Sequence, residues 1–315
     1  MQLLALAGSP PVDAHTLLTA WQTDAVSIVG LCLEAAAVGL YLPGVRRLTR
    51  RGRRWPPWRS ACYLGGIACI VVALQSGLAE YDDSVFSLHM VQHMLLMMVA
   101  PPLLAFGAPV TLAMQAARRS TQEKIVRLLR SPAVELLGSP AFAFAAAWGV
   151  MFGYFLTGFY AFSLDHFPVH VATHVLFVAT GCLYCWQIIC ADPVRRRLAF
   201  PLRLAYAATA VPLTAVIAVM LMTRGASIAP EHSLSDTHAG GLVLLVAGEV
   251  IALAEVAFVA WRWSLHNERK ALRHSARSAA GAAPAAPCGG AAARSGGAGA
   301  APPELVGAPA PKAEP

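Results

Sequence analysis

Two pairs of histidines occur with the spacing i and i+4 inside apolar stretches of this 315-residue sequence. His89 and His93 form the first pair, and His170 and His174 form the second. Residues four apart lie on one face of an α-helix, so each pair presents two imidazoles to a common point. Imidazole is costly in hydrocarbon without a partner, and its neutral nitrogen is a common metal ligand. The pairs predict a metal site shared by two helices, with packing and hydrogen bonding as the alternative role.

Methionines accompany the first histidine pair. At about 100° per residue, Met90 and Met97 fall on the same helical arc as His89 and His93. Thioether sulfur selects Cu(I) and imidazole binds either oxidation state of copper, whereas zinc more often takes Cys or carboxylate ligands. We therefore expect copper, with Met97 and Met90 as assisting ligands. Ordinary apolar packing is the alternative role for these methionines.

A further polar element, formed by Asp236, Thr237 and His238, precedes the last apolar stretch. Asp236 or His238 is expected to complete the metal site, or to orient a ligand imidazole from outside the ligand set. An ordinary polar loop ahead of a membrane span is the alternative interpretation.

Other polar side chains within the apolar stretches are carboxylates and thiols. Glu34, Glu249 and Glu255 are candidates for function because acids in lipid are rare, and protonated structural acids are the alternative. Cys182 and Cys185 form a C-x-x-C on an apolar helix, where packing is favoured over a thiolate relay for Cu(I). The 7 cysteines are odd in number and lie mostly in apolar runs, which argues against a disulfide framework.

The elements that must position these side chains are apolar runs near 20 residues long. At 1.5 Å rise per residue, such a run crosses the roughly 30 Å hydrocarbon core of a bilayer. We predict an all-α integral membrane bundle of seven transmembrane helices, at about residues 24–43, 61–80, 89–111, 138–160, 168–190, 204–223 and 240–263. Pro101, Pro102 and Pro109 in the third span and Pro212 in the sixth predict kinks, either for packing or to shape a cavity.

The distribution of basic residues predicts the orientation of the bundle. Of the 24 Lys and Arg residues, all except Arg224 lie in odd-numbered connections or in the C-terminal tail. By the positive-inside rule these parts face the cytoplasm, which gives an N-out, C-in topology. Every histidine before the tail, including both pairs, then falls on the outer side of the membrane.

The composition narrows the class of protein. The chain is 57% hydrophobic and 13% charged, whereas a soluble domain carries roughly 25% charged residues. This excludes a soluble globular enzyme, and the continuous apolar runs exclude an outer-membrane barrel, whose strands alternate. The net charge is +7. The basic residues lie between the apolar runs and not on one stripe with aromatic residues, which argues against nucleic-acid binding.

The predicted organisation has three parts. Residues 1–23 form an extracytoplasmic segment, 24–263 the transmembrane domain and 264–315 a cytoplasmic tail. From about Ser275 the tail consists mainly of Ala, Gly and Pro, and we expect disorder because it cannot bury enough apolar surface to offset its ordering entropy. The first residues, MQLLALAG, lack the basic region of a secretory signal peptide.

Three short motifs resemble a known family. The runs HMVQHML at 89–95, APPLL at 100–104 and GAP at 107–109 are similar to the signature of the CtaG-type cytochrome c oxidase assembly factors. Asp236 and the glycine pair at 240–241 are similar to a second patch of that family, whereas residues 237–239 depart from it. The resemblance extends over about residues 24–263.

The resemblance implies a multi-pass protein of the bacterial plasma membrane that matures heme-copper terminal oxidases without catalytic turnover of its own. It implies copper handling for the catalytic subunit of the oxidase. His89 and His93 carry over directly from the motif, whereas His170 and His174 rest on their spacing. The expected partners are that subunit and the lipid bilayer, with no nucleic acid.

Two other functions remain open. Paired imidazoles also ligate heme iron, which would make the protein a heme-binding membrane oxidoreductase. The lack of histidines near the inner ends of the spans argues against a second heme and against transfer across the bilayer. Glu34, Glu249 and the proline-broken third span are compatible with a metal or solute permease.

Overall fold

A computed structural model describes residues 15, 19–193 and 197–282 of the chain. These residues form helices joined by short connections, and no β-strand occurs among them. In chain order the helices are α1 (Ala25–Arg50), α2 (Pro57–Gln75), α3 (Gly77–Glu80), α4 (Phe86–Met94), a π-helical turn (Leu95–Val99), α5 (Ala100–Phe106), α6 (Pro109–Ala116), α7 (Arg119–Leu129), α8 (Pro132–Leu137), α9 (Pro140–Leu156), α10 (Phe159–Asp165), α11 (Phe167–Ile189), α12 (Phe200–Ala208), α13 (Ala210–Met222) and α14 (Leu234–Ala282).

The described chain is that of a helical membrane protein, as predicted. Among the described residues, 6 stretches are long and apolar enough to cross a membrane: Ala25–Arg50, Pro57–Gln75, Phe86–Ala116, Phe167–Ile189, Phe200–Met222 and Leu234–Ser275. A seventh span results if α9 and α10, which are bent by 76° at their junction, are taken as one. At the bend, the hydroxyl of Thr157 accepts a hydrogen bond from the backbone N–H of Phe159 at 3.1 Å. The orientation of the bundle stays a prediction.

The spans that carry the histidine pairs are the most deeply buried. Half of the apolar window of Phe86–Ala116 and 56% of that of Phe167–Ile189 are buried, against 11% for Ala25–Arg50. The first helix therefore exposes most of its apolar side chains, which suits contact with lipid. The two central spans pack against each other and place both histidine pairs inside the protein.

The predicted break at Pro101 takes the form of a π-helical turn directly after the first histidine pair. Proline has no backbone N–H and its ring crowds the carbonyl four residues earlier, so Pro101 cannot pair with Met97. The N–H of Ala100 instead reaches the carbonyl of Leu95, five residues back, and the turn widens. Gly181 of α11 fills the gap, since a Cβ atom there would lie only 2.6 Å from the Met97 carbonyl oxygen.

The predicted break at Pro109 is a sharp turn between α5 and α6. Ala108 adopts a left-handed conformation with φ of 46°, which is uncommon for a residue with a side chain. Asp192, distant in sequence, caps the new helix: its carboxylate accepts hydrogen bonds from the N–H groups of Val110 at 3.3 Å and Thr111 at 2.6 Å. The turn is thus fixed by a contact between two spans.

The predicted break at Pro212 separates α12 from α13. Thr209 lies between the two helices, and the N–H that Pro212 lacks would have served the carbonyl of Ala208, at the end of α12. The predicted kink thus corresponds to an interruption at Thr209, within an apolar stretch that extends from Phe200 to Met222.

Contacts between neighbouring helices identify the two ends of the bundle. At one end the chain enters α1 beside the end of α2, where the N–H of Gln22 donates to the carbonyl of Gln75 at 2.9 Å. At the other end Arg51, after α1, reaches the carbonyl of Gln115 near the end of α6. The histidine pairs lie at the first of these ends, which we call the histidine end.

Contacts divide the chain into two units, Met1–Asn267 and Glu268–Pro315. Within the second unit, α14 continues to Ala282 and so passes Ser275, where the sequence predicts disorder to begin. The helix continues because this stretch is rich in Ala, which has the highest helix propensity. Residues 283–315, including Cys288, and most of the N-terminal segment 1–23 lie outside the described residues.

Candidate metal centre

The four predicted histidines come together as a closed ring of imidazoles at the histidine end. The centroid distances around the ring are 4.2 Å (His89 to His93), 5.5 Å (His93 to His174), 4.6 Å (His174 to His170) and 5.6 Å (His170 to His89). All four residues are buried, and none has more than 8% of its surface exposed. We call this group the histidine ring.

The starts of α4 and α11 fix the positions of the ring. The N–H groups of Phe86 and Ser87 in the first turn of α4 donate to the carboxylate of Asp236, at 2.5 Å and 3.1 Å. This contact satisfies amides that a helix N-terminus leaves unpaired. In α11, Pro168 occupies the first turn, where its fixed φ favours helix initiation.

Asp82 joins the two histidine pairs, and sequence reasoning missed it. Its carboxylate contacts Nδ1 of His89 and lies 2.7 Å from Nε2 of His170 and 3.7 Å from Nε2 of His174. Asp82 is only 6% exposed. The available signal was an acidic residue shortly before the first histidine pair, in a chain with only 17 acids.

Two imidazoles of the histidine ring act on the carboxyl group of Asp82. Burial by itself would raise the pKa of this carboxyl, but the adjacent imidazoles of His89 and His170 attract its charge and hydrogen bond to it. The balance holds the pKa of Asp82 well below its usual range. The site therefore places a buried carboxyl group among imidazoles, a set of oxygen and nitrogen atoms that can hold a cation.

Several ring nitrogens of this cluster have no protein partner. Nδ1 of His93, Nδ1 of His170 and Nε2 of His174 are buried without a hydrogen bond. Nε2 of His89 and Nε2 of His93 face each other at 2.5 Å. Buried polar atoms are normally paired, and a cation that accepts their lone pairs would satisfy them. Asp82, His170 and His174 already offer ligand atoms within 4.8 Å of one another.

Aromatic hydroxyls surround the histidine ring. The hydroxyl of Tyr154 lies 3.1 Å from Oγ of Ser163 and 3.5 Å from Nε2 of His89. The hydroxyl of Tyr160 lies 2.6 Å from Nε2 of His232. Sequence reasoning did not single out the two tyrosines, because nothing in the local pattern separates them from the aromatic residues that pack the core.

The structure places Asp236 and His238 in other contacts. Both carboxylate oxygens of Asp236 accept backbone N–H groups of α4, so this residue caps a helix that carries two ring histidines. Nε2 of His238 lies 3.1 Å from the carbonyl oxygen of Arg224. Their predicted ligand roles stay predictions, without a described contact to the ring.

The methionines predicted to assist lie in the core. Met90 is fully buried. Met97 lines a separate cavity of about 30 Å³ together with Met151, Cys185 and Glu255. In that cavity the Cys185 thiol lies 3.6 Å from Oε1 of Glu255. The polar contacts described for the histidine ring are made by nitrogen and oxygen atoms.

The other two carboxylates inside the spans also have partners. Thr214 donates to Oε1 of Glu249 at 2.8 Å, and Gln75 donates to Oε1 of Glu34 at 3.3 Å. Oε2 of Glu34 is buried without a hydrogen bond, and both the functional and the structural role of these acids stay predictions.

The donor set of the ring fits a borderline divalent ion. Imidazole suits copper, zinc, iron and nickel, while a carboxylate is a harder ligand than the thioethers and thiolates that select Cu(I). Four imidazoles and one carboxylate therefore match Cu(II) better than Cu(I). Asp82 also contacts the nitrogen of His89 opposite the one that faces His93, the arrangement by which carboxylates orient metal-binding histidines.

Comparison with known proteins places this site in a family. Residues 39–265 match the cytochrome c oxidase caa3 assembly factors (Caa3_CtaG). The chain belongs to this family. The matched region contains every residue of the histidine ring and Asp82, and the family resemblance predicted from the motifs around His89 is confirmed.

Mycobacterial proteins are similar to this family member along most of its length. It is 29% identical over 282 residues to an uncharacterized protein of Mycobacterium bovis and to one of Mycobacterium tuberculosis. It is 27% identical over 281 residues to an uncharacterized protein of Mycobacterium leprae. In each case the match covers 84% of this chain and 42% of the relative, so the chain spans less than half the length of these relatives. No solved structure matches the chain.

Proposed function

We propose that this protein holds a copper ion in the histidine ring and passes it to the catalytic subunit of a heme-copper oxidase during assembly. The observation that carries the proposal is the buried ring of four imidazoles around the carboxyl group of Asp82, with unpaired ring nitrogens. Membership of an oxidase assembly family supports an oxidase as the partner that receives the ion. The donor set favours Cu(II) as the bound form.

The proposed location is the outer side of a bacterial plasma membrane. The histidine end is opposite the end that carries Arg51, and nearly all basic residues lie in connections at that other end or in the tail. The positive-inside rule then directs the histidine end away from the cytoplasm. The ion would thus be released on the outer side of the membrane.

The proposed role is that of a carrier and not of an enzyme. A family of assembly factors supports a role without turnover. Transfer requires that ligands leave one at a time, and neutral imidazoles exchange more readily than a closed set of thiolates. A partner that offers further imidazoles could therefore withdraw the ion stepwise.

Metal binding tests the ligand assignment directly. The full chain is purified in detergent, loaded with Cu(II) and desalted, and its copper content and electron paramagnetic resonance spectrum are compared between a ring variant and a control. The ring variant is His93→Ala with His174→Ala, and the control is His166→Ala with His266→Ala, which removes two exposed histidines outside the ring. We expect copper with nitrogen hyperfine structure in the wild type and the control, and its loss in the ring variant. Equal copper content in the two variants would contradict the assignment.

Oxidase maturation tests the biological role. We expect deletion of the gene to lower terminal oxidase activity and to alter its spectrum, with partial recovery on added copper. Wild-type protein and the control variant should restore activity. Full restoration by the ring variant, at matched protein level, would overturn the proposal that the ring delivers copper.

A further inference from the structure

A cavity of about 470 Å³ lies beside the histidine ring at the histidine end. Residues from the start of α1, the end of α2 and the start of α11 line it. Four of the residues that line the cavity are acidic: Asp24, Glu80, Asp82 and Asp83. His170 and His174 line the same cavity, and none of its described lining residues is Lys or Arg.

The acidic residues differ in depth. Asp24, Glu80 and Asp83 are exposed to the surroundings, whereas Asp82 is 6% exposed and contacts the ring. Carboxylates therefore occupy both the outer part of the cavity and its contact with the ring. Several negatively charged carboxylates in one cavity raise the local concentration of cations.

Two buried glutamines with unpaired oxygen atoms also line the cavity. Gln75 and Gln92 are each 1% exposed, and Oε1 of each is buried without a hydrogen bond. Their amide nitrogens are already used, since Gln75 donates to Glu34 and Gln92 donates to the carbonyl of Ala73. Each glutamine therefore keeps one unpaired oxygen acceptor in the wall of the cavity, and amide oxygens are among the groups that replace water around a cation.

We propose that this cavity is the access route by which a divalent cation reaches the histidine ring from the histidine end. The exposed carboxylates draw the ion in, the amide oxygens of Gln75 and Gln92 replace part of its hydration shell, and His170 and His174 receive it. This inference rests on the proposed function, because it assigns a path to the ion that the ring binds. It also assigns a side of supply, namely the same face on which the ring lies.

The carboxylates at the outer part of the cavity can be neutralised without touching the ring. Asp24 is left intact because it caps α1, so the variant is Glu80→Gln with Asp83→Asn. Glu231→Gln serves as the control, an exposed acid that does not line the cavity. Stopped-flow mixing of the purified full-length protein with Cu(II) measures the association rate, and we expect a loss of about threefold to tenfold in the double variant. Its copper stoichiometry should stay unchanged, and its rate should depend less on salt.

A steric block gives a second test that leaves all charges in place. Gly30 of α1 lines the cavity, and a Cβ atom there would meet only the flexible end of Gln75, at 2.9 Å. Gly30→Leu should slow Cu(II) association. Gly39→Leu on the same helix, where nothing lies within 4 Å of a new Cβ atom, should not.

The outcomes separate the route from the site. If the wild type binds no copper, the proposed function fails. If the wild type binds copper and both the charge variant and Gly30→Leu associate at the rate of their controls, the ring stands and the access route is overturned. Slower association in either variant, with unchanged stoichiometry, supports the route.

Discussion

Oδ2 of Asp82 lies 2.7 Å from Nε2 of His170, although the two residues are 88 positions apart in the chain. The other carboxylate oxygen contacts Nδ1 of His89. One side chain in the turn before α4 thus orients an imidazole from each histidine pair. The ring is therefore a tertiary structure whose geometry depends on a residue outside both pairs.

Asp82→Asn should weaken copper binding. The amide keeps the size of the side chain but removes the charge and makes one of its two contacts unfavourable, and loss of such a supporting carboxylate lowers metal affinity by about 10- to 100-fold. Competition with a chromophoric chelator measures the affinity. Asp165→Asn, an exposed acid near the start of α11, is the control. An affinity equal to that of the control would remove Asp82 from the site.

Asp236→Ala should destabilise the protein and leave copper stoichiometry unchanged. The carboxylate accepts two backbone N–H groups of α4, and loss of a capping side chain costs about 0.5–2 kcal/mol of unfolding free energy. Asp236→Asn keeps one acceptor oxygen and should lose less. Chemical unfolding in detergent gives the stabilities. A folded Asp236→Ala protein without copper would instead support the predicted role of Asp236 at the metal site, as a ligand or in orienting a ligand imidazole.

The spacing of histidines was sufficient to predict which imidazoles meet. Apolar runs define the spans, and the separation of four residues places His89 and His93 on one helical face and His170 and His174 on another. The two pairs occupy corresponding positions near the starts of α4 and α11, so the imidazoles of the two pairs lie at matching depths in the bundle. The spacing within each pair and its distance from the helix start are local features, so the sequence pattern predicts them.

The features that the sequence did not predict depend on contacts between distant segments. Asp82 meets His170 only because α2, α4 and α11 pack together, and no periodicity records that contact. The 76° bend between α9 and α10 occurs at a Thr-Gly pair within an apolar run, which hydropathy reads as continuous. The role of Asp236 as a cap for α4 likewise joins elements about 150 residues apart.

Tyr154→Phe should test whether the hydroxyl beside the ring affects the ion. Its oxygen lies 3.5 Å from Nε2 of His89 and 3.1 Å from Oγ of Ser163. We expect a loss of about 0.5–1.5 kcal/mol in stability, together with a shift in the Cu(II) spectrum. Tyr63→Phe removes a hydroxyl that donates to the carbonyl of Ala37 and should leave the spectrum unchanged. Identical spectra in both variants would exclude an influence of Tyr154 on the bound ion.

Gly181→Ala should disrupt the packing of α11 on the π-helical turn. A Cβ atom there would lie 2.6 Å from the Met97 carbonyl oxygen and 2.8 Å from Cγ of Pro101. Neither neighbour can move easily, because one is backbone and the other is a proline ring. Overpacking of this kind costs about 1–3 kcal/mol of unfolding free energy.

Gly149→Ala on α9 is the matched control, since nothing lies within 4 Å of its new Cβ atom. Ala favours a helix more than Gly does, so this variant should unfold at the wild-type denaturant concentration or above it. The π-helical turn begins two residues after His93, so the shift forced by Gly181→Ala should also lower copper affinity, while Gly149→Ala should not. Equal unfolding midpoints for the two variants would show that the close approach of Gly181 to Met97 does not constrain the central pair of spans.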